Sequence, residues 1–213
     1  MKTDELVALL AEQAGPVDRR LPQRRFGTAL LAGWAGAGAV AALTFGLRPD
    51  LGAALLLPAF WAKVGFALCM IAAAAWTAAR LARPGRLVGP AWAGLAMPVL
   101  LAWAAAAVTL WLAPAEARAG LVQGQSWRSC PFNIAFLSPP ALVAVFWALR
   151  GLAPTRLRAA GAAGGLLAGA IATLAYCLHC PEMAVPFWSL WYLLGMAIPT
   201  VVGALLGPRL LRW

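Results

Sequence analysis

Long apolar runs, separated by short clusters of charged and turn-forming residues, make up most of the chain. Six of them, at about residues 26–47, 58–80, 89–113, 132–150, 159–178 and 185–207, approach or exceed the roughly 20 mostly apolar residues that cross a bilayer. They predict an all-α, polytopic membrane protein with a bundle of six transmembrane helices across residues 26–208. Residues 1–25 form a polar tail, and residues 209–213 form a short C-terminal segment.

The composition agrees with this prediction. The chain has 213 residues, of which 63% are hydrophobic and 11% charged, and its mean hydropathy is +0.79. A soluble domain carries about 25% charged residues. The apolar run after Arg25 is also longer than the roughly 7 to 15 residues expected of a signal peptide. We therefore expect the first helix to be retained as an anchor.

The net charge of +10 raises the question of nucleic-acid binding, which the positions of the basic residues answer. Only Arg48, Arg118 and Arg128 fall in the segments of one side, with Lys63 near that end of the second span. Thirteen fall on the other side: Lys2, Arg19, Arg20, Arg24, Arg25, Arg80, Arg83, Arg86, Arg150, Arg156, Arg158, Arg209 and Arg212. This asymmetry follows the positive-inside rule. It predicts cytoplasmic N- and C-termini, contact with the lipid bilayer, and no direct binding of nucleic acid.

Small residues recur at helical spacing in the last two spans. Glycines at four-residue intervals let helix backbones approach closely in lipid. We therefore expect the fifth and sixth helices to pack tightly through Gly161, Gly165, Gly169, Gly203 and Gly207.

Three other residues stand out inside the spans. Pro98 and Pro199 each remove a helix hydrogen bond, so we expect kinks there. Lys63 lies about one turn from the outer end of its helix, where a lysine can extend its ammonium group to water. A role in a transport pathway is the alternative for this lysine.

The tail contains a pattern for one short helix. Thr3 or Asp4 can cap it, and Gly15-Pro16 ends it. Its apolar stripe contains Leu6, Leu9, Leu10 and Gln13. A helix of about twelve residues is marginal alone in water. It therefore needs a surface to pack on, which is the rest of the protein, the membrane or a cytoplasmic partner. The alternative is that the tail is a solvated, partly ordered segment.

Two cysteine-containing stretches fall on the outer side of the predicted bundle. CLHCPE joins the fifth and sixth helices, and WRSCPF precedes the fourth. Each contains a Cys-Pro dipeptide, at Cys130 and at Cys180, just before a helix that proline can open. We expect these two cysteines to be neighbours.

Three interpretations of these stretches remain open. Paired thiols in an oxidising compartment form a disulfide, between Cys180 and either Cys130 or Cys177. Metal binding would use cysteine and histidine ligands with a glutamate oxygen, namely Cys130, Cys177, His179, Cys180 and Glu182. A polar loop without special chemistry is the third interpretation. The sequence contains no phosphate-binding loop, nucleophile with a base or carboxylate pair, so we do not expect an enzyme.

The stretch CPEMAVPFWSLWYLLGMAIPTVVGALLGPRLLRW resembles the C-terminal signature of the negative regulator of sigma F family, six-helix inner-membrane anti-sigma factors of proteobacteria. The opening MKTDELVALLAEQAGPV and the stretch WRSCPF are similar to the same family. The resemblance implies that the protein holds an extracytoplasmic-function sigma factor at the membrane and releases it under metal or oxidative stress. It also implies that Cys130 and Cys180 are the two periplasmic cysteines of the family.

The leading hypothesis is therefore a membrane anti-sigma factor with sensor thiols at Cys130 and Cys180. Its sigma-binding residues would be Leu6, Leu9, Leu10, Gln13, Arg19 and Arg20. Cys177, His179 and Glu182 are possible auxiliary or metal-contacting residues; we expect no resident cofactor, although a transient metal ion is possible. A thiol-disulfide oxidoreductase of the envelope and a small membrane transporter are the alternatives.

Overall fold

The computed structural model describes residues 3, 5, 7, 20–83, 85 and 88–212, and this part of the chain contains α-helices and no strand. The long helices are α1 (Leu21–Thr44), α3 (Pro58–Leu81), α4 (Ala91–Leu112), α8 (Leu157–Tyr176) and α9 (Val185–Leu210). The shorter ones are α2 (Leu51–Ala54), α5 (Ala115–Gln123), α6 (Cys130–Leu137) and α7 (Pro139–Arg150). Among them, α2 and α5 lie in connections that the hydrophobic pattern had not shown as helical.

Five helices, α1, α3, α4, α8 and α9, are individually long and apolar enough to cross a bilayer. The pair α6 and α7 gives a sixth candidate span if the two helices are counted as one, but their axes are bent by 47°. The prediction of a single fourth helix over residues 132–150 was therefore wrong in this detail. Pro139 and Pro140 follow Ser138, and two consecutive residues without a backbone N–H remove two helix hydrogen bonds, so the helix breaks there. In contrast, α4 and α9 continue through Pro98 and Pro199.

The observed helix ends differ from the predicted ones mainly at the first helix. α1 begins at Leu21 rather than near residue 26, with Pro22 in its first turn, a position where the missing N–H costs nothing. It ends at Thr44. At the other end of the chain, α9 continues through Pro208 to Leu210.

At the centre of the bundle lies α8, which contacts α1, α3, α6, α7 and α9. It packs closely on α9, and glycines make this approach possible. A Cβ on Gly203 would overlap the carbonyl oxygen of Gly161, and one on Gly207 would overlap that of Leu157. Gly165 and Gly169 face Pro199 and Met196 in the same way. The glycine spacing thus correctly indicated which helices approach each other.

The two ends of the bundle differ in chemistry. The end that we call the cysteine end contains Cys130, Cys177 and Cys180, and the opposite arginine end contains Arg20, Arg24, Arg25, Arg80, Arg83, Arg150, Arg156, Arg158, Arg209 and Arg212. Each end has its own hydrophobic core, one around Phe60, Ile134 and Phe187 and the other around Leu81, Val145 and Leu167.

Candidate functional site

The connection between α8 and α9 forms a tight turn at the cysteine end. We call residues 177–182 the thiol turn. After Tyr176, the N–H groups of His179 and Cys180 both donate to the Tyr176 carbonyl, at 3.0 and 2.9 Å. These bonds satisfy a carbonyl that the helix end leaves open. They also hold Cys177 and Cys180 close to the end of α8.

Three thiols are buried together near this turn. Cys130, Cys177 and Cys180 are each 0% exposed, whereas Cys69 is exposed on α3. All four cysteines carry free thiols. Cys130 and Cys180 both lie beside the Tyr176 side chain. The structure therefore brings together the two Cys-Pro segments, as the topology had predicted.

Lys63 is the unexpected member of this cluster. The prediction that its ammonium group extends to water was wrong, because the whole residue is 0% exposed. Its Nζ donates to the carbonyl of Cys180 at 2.8 Å and to that of Glu182 at 3.2 Å, and it lies 5.4 Å from the centre of the Phe60 ring. The carbonyls of the turn have no helical partners, so they attract the ammonium group inward.

Arg48 ties a second loop to the thiol turn. Its backbone N–H donates to the Leu178 carbonyl at 3.2 Å, and its Nη1 donates to the Cys180 carbonyl at 3.3 Å. The same guanidinium makes two hydrogen bonds to Asp50, at 2.7 and 2.6 Å. These bonds raise the pKa of Arg48 and hold the pKa of Asp50 below its usual value. Arg48 is thus a buried cation with its own carboxylate.

Glu182 joins the thiol turn to the loop that leads to Cys130. Its Oε1 accepts hydrogen bonds from the backbone N–H groups of Gln125 and Ser126, at 2.6 and 3.3 Å. Gly124 has a φ of +54°, and a Cβ there would lie 2.7 Å from this carboxylate. Glycine is therefore required at this position. The Glu182 carboxylate fixes the two cysteine-containing segments relative to each other.

The predicted metal ligands do not converge. The His179 ring places Nδ1 3.1 Å from the Gly46 carbonyl oxygen and lies 5.2 Å from the Phe45 ring. The Glu182 carboxylate faces residues 125 and 126. Within the described ranges, no group of three or more His, Cys, Asp or Glu side chains is arranged to hold a metal ion. The geometry of the cluster thus gives no support to a metal site built from Cys130, Cys177, His179 and Cys180.

We call the cluster formed by Lys63, Cys130, Tyr176, Cys177, Cys180 and Tyr192 the thiol pocket. Sequence reasoning had missed both tyrosines. The Tyr192 side chain is fully buried beside the thiols of Cys177 and Cys180, and its hydroxyl has no nitrogen or oxygen hydrogen-bond partner among the described residues. The Tyr176 hydroxyl accepts a hydrogen bond from Asn133 at 3.3 Å. One signal was available, because these are the chain's two tyrosines and both fall near the cysteines.

The predicted sigma-binding residues lie mostly beyond the described part of the chain: Leu6, Leu9, Leu10, Gln13 and Arg19. Arg20 is described and exposed, directly before α1. Within the tail, Thr3, Glu5 and Val7 are helical and exposed.

Comparisons with known proteins bear on the whole chain. The family model described as negative regulator of sigma F matches residues 10–213. The "Probable anti-sigma-F factor NrsF" of Azospira oryzae is 49% identical over 215 residues, covering 100% of both chains. The "Anti-sigma-F factor NrsF" of Caulobacter vibrioides is 40% identical over 220 residues, again covering 100% of both. No solved structure matches the chain.

Proposed function

The chain belongs to the negative regulator of sigma F family, and from that premise we propose that it holds an extracytoplasmic-function sigma factor at the bacterial inner membrane. Membership makes it an anti-sigma factor, with a regulatory role and a sigma factor as its partner. The match over the full length of two relatives is the observation that carries this function. We propose no catalytic activity, no resident cofactor and no direct contact with nucleic acid.

Membrane insertion with both termini in the cytoplasm is the second part of the proposal. It is supported by the helices that are long and apolar enough to cross a bilayer and by the separation of ten described arginines to one end. Basic residues near helix ends resist translocation, so the arginine end would face the cytoplasm. The cysteine end would then face the periplasm.

The sigma factor would bind on the cytoplasmic side, to the tail and the neighbouring arginine end. The described part of the tail supports this assignment, because Thr3, Glu5 and Val7 are helical and exposed and Val7 is an apolar residue left open for contact. The apolar stripe of Leu6, Leu9 and Leu10 would bury its surface against the partner. Arg19 and Arg20 would add charge at the base of the tail.

Signalling would begin at the thiol pocket. An oxidant or a metal ion acting on Cys130 and Cys180 would change the packing of the cysteine end. The affinity of the protein for the sigma factor would then fall. To move a partner from mostly bound to mostly free, the two states of the protein must differ in affinity by several kcal/mol. A disulfide formed between two parts of the chain contributes about 2 to 4 kcal/mol, which is of the right size.

The binding role is tested by co-purification. The probe is a sigma factor encoded beside this gene. The full-length protein in detergent should retain it, and a protein lacking residues 1–25 should not. A variant with Glu116 replaced by Gln, an exposed residue of α5 at the cysteine end, serves as the matched control. Equal retention by the shortened protein would refute the role of the tail, and no retention by either would refute the choice of sigma factor.

The sensing role is tested separately with a reporter of the sigma-dependent promoter. Cys130→Ser and Cys180→Ser should each alter the response to oxidants or metal ions. Cys69→Ser, at an exposed thiol outside the pocket, should leave it unchanged. If Cys130→Ser and Cys180→Ser both respond as the unmodified protein does, the thiol mechanism is wrong although the anti-sigma function stands.

A further inference from the structure

An open groove with apolar walls runs along the outside of the bundle between α3 and α4. Its α3 side contains Cys69 and Trp76, and its α4 side contains Gly94, Met97 and Leu101. The volume of the groove is about 570 Å³, which is within the range of about 300 to 1,000 Å³ that small-molecule sites occupy. A ligand with a long apolar part would therefore fit the groove.

The length of the groove matches one leaflet of a bilayer. Along α4 the groove extends from Pro90 to Leu101. A helix rises about 1.5 Å per residue, so this distance is about 16 Å. Half of the hydrocarbon core of a bilayer is about 15 Å thick. In a membrane the groove would therefore reach from the arginine end to the middle of the bilayer, as one lipid acyl chain does.

A second hollow lies on the other side of Trp76. It has a volume of about 250 Å³, and Phe26 of α1 and Ala79 of α3 line it together with Trp76. Gly94 allows the indole ring to lie against α4, since a Cβ there would be 3.1 Å from the ring. Two hollows thus flank one indole ring. A glycerophospholipid has the matching form, because it carries two acyl chains on one headgroup.

The side chains around Trp76 suit a phosphate group. The Arg80 guanidinium lies 6.0 Å from the centre of the Trp76 ring, and the exposed Arg83 lines the second hollow. A planar guanidinium stacks on indole and donates paired hydrogen bonds to phosphate oxygens. Trp side chains are also enriched at the headgroup level of membranes. A headgroup phosphate at the two arginines would therefore leave the acyl chains beside Trp76.

The charge of the arginine end favours an anionic lipid over a zwitterionic one. From residue 20 onward the chain has three acidic side chains, which lie at the cysteine end: Asp50, Glu116 and Glu182. The other four are in the tail: Asp4, Glu5, Glu12 and Asp18. The arginine end contains ten described arginines, so four carboxylates cannot neutralise it. A ligand with a net negative charge reduces this excess.

We propose that Trp76, Arg80 and Arg83 form a binding site for one anionic glycerophospholipid. Its two acyl chains occupy the hollows on either side of Trp76, and the two arginines hold its phosphate. The bound lipid fills the space between α3 and α4 and so adds contacts for α4. The inference rests on the proposed membrane insertion and does not involve the sigma factor.

The test measures lipid binding to the purified full-length protein in detergent. The protein is titrated with phosphatidylglycerol or with phosphatidylcholine of identical acyl chains, and bound lipids are counted by native mass spectrometry. One arginine near an anionic headgroup strengthens binding about fivefold, so two should give phosphatidylglycerol a preference of about 25-fold.

The thiol of Cys69 reports where the lipid binds. This residue is exposed and lines the groove. Its modification by N-ethylmaleimide, followed by peptide mass spectrometry, should slow as phosphatidylglycerol is added. The same slowing should need about 25-fold more phosphatidylcholine.

Two kinds of variant separate the headgroup from the acyl chains. Arg80→Gln combined with Arg83→Gln should remove most of the preference for phosphatidylglycerol. Arg128→Gln is the matched control, because Arg128 stacks on Trp127 in the same way, at 5.0 Å, but at the cysteine end. It should leave the preference unchanged.

The second kind of variant fills the groove. Ala93 is an exposed residue of α4 that lines it, so Ala93→Phe should weaken the binding of both lipids and leave their ratio unchanged. Ala107→Phe, at an exposed position of α4 that does not line the groove, should bind both lipids as the unmodified protein does.

Three results would overturn the inference. They are equal affinity of the unmodified protein for the two lipids, a preference that persists without Arg80 and Arg83, and phosphatidylglycerol binding that leaves the Cys69 rate unchanged. Membrane insertion is measured independently, by extraction of cell membranes with alkaline carbonate. Release of the protein into the extract would refute insertion and this site together, whereas an inserted protein without lipid preference would refute the site alone.

Discussion

Along the same pair of helices, α8 and α9 pack through glycines toward the arginine end and through polar side chains toward the cysteine end. In the first region Gly161 lies directly against Gly203, backbone to backbone. In the second, the rings of Tyr176 and Tyr192 meet with centroids 6.2 Å apart, beside the buried thiols.

The difference lies in how completely the polar groups of each region are satisfied. Backbone contact between glycines is dense and leaves no polar side chain unsatisfied, so it stabilises a fixed arrangement. The thiol pocket instead contains the buried ammonium group of Lys63, which no carboxylate of the described residues pairs, and the buried Tyr192 hydroxyl, which has no nitrogen or oxygen partner among them. Such groups cost folding free energy. The α8–α9 pair is therefore tightly packed toward one end and borders a cluster of incompletely satisfied polar groups at the other.

The largest effect is expected from breaking the rigid support. Gly203→Ala places a Cβ against the backbone of Gly161, and neither helix can yield locally. Overpacking of this kind costs about 1 to 3 kcal/mol. Thermal unfolding in detergent should show a clearly lower Tm. Gly38→Ala in α1, where nothing lies within 4 Å, should leave Tm unchanged or slightly raised, and equal Tm values for the two variants would contradict the packing argument.

A smaller loss is expected where the two cysteine-containing segments are joined. Glu182→Gln keeps an acceptor but removes the charge that the N–H groups of Gln125 and Ser126 face. Charged hydrogen bonds are roughly twice as strong as neutral ones, so about 1 kcal/mol should be lost. Tm should fall slightly, and oxidant-induced cross-linking of Cys130 with Cys180 should slow. Glu116→Gln, at an exposed position, is the control, and the same cross-linking rate in both variants would contradict the joining role.

Equal or slightly higher stability is expected when the Tyr192 hydroxyl is removed from the thiol pocket. Tyr192→Phe keeps the ring and removes a buried hydroxyl that has no nitrogen or oxygen partner among the described residues. The free energy of unfolding should stay equal or rise by up to about 1 kcal/mol, because no satisfied hydrogen bond is lost. Urea unfolding in mild detergent would measure it. A marked loss of stability would mean that the hydroxyl is bonded after all, and the contrast between the two regions would weaken.

The smallest effect concerns the loop of Arg48. Since Arg48 lowers the pKa of Asp50, the carboxylate stabilises the fold above its unfolded pKa, and this contribution is lost as pH falls through the folded pKa. Asp50→Asn should therefore lower Tm slightly at pH 7 and have no effect at strongly acidic pH. The Asp50 side chain is 60% exposed, so the difference is modest and shrinks in high salt. A Tm difference that persists unchanged in acid would contradict the assignment.

The two regions also differ in how well the sequence predicted them. The α8–α9 contact repeats every four residues along single helices, so its periodicity is visible in one stretch of chain. The thiol pocket gathers residues from several elements, and Lys63 and Cys180 are 117 positions apart. The topology indicated that Cys130 and Cys180 share one end. It did not indicate the direction of the Lys63 side chain, because the open carbonyls that attract it exist only once the thiol turn has folded.

The bend at Ser138 has a mechanical consequence. A displacement at one end of a continuous helix moves its other end. Where two short helices meet at an angle, the displacement can instead change the angle between them. α6 begins at Cys130 and packs on α8 and α9, while α7 packs on α1 and α8. We therefore expect a displacement of Cys130 to bend the chain at Ser138 and not to move Arg150. The unbroken helices α8 and α9 would then be the elements that transmit movement between the two ends. The distance between spin labels on α7 and α1 should therefore not change after alkylation of Cys130. A change would show that the bend between α6 and α7 is stiff.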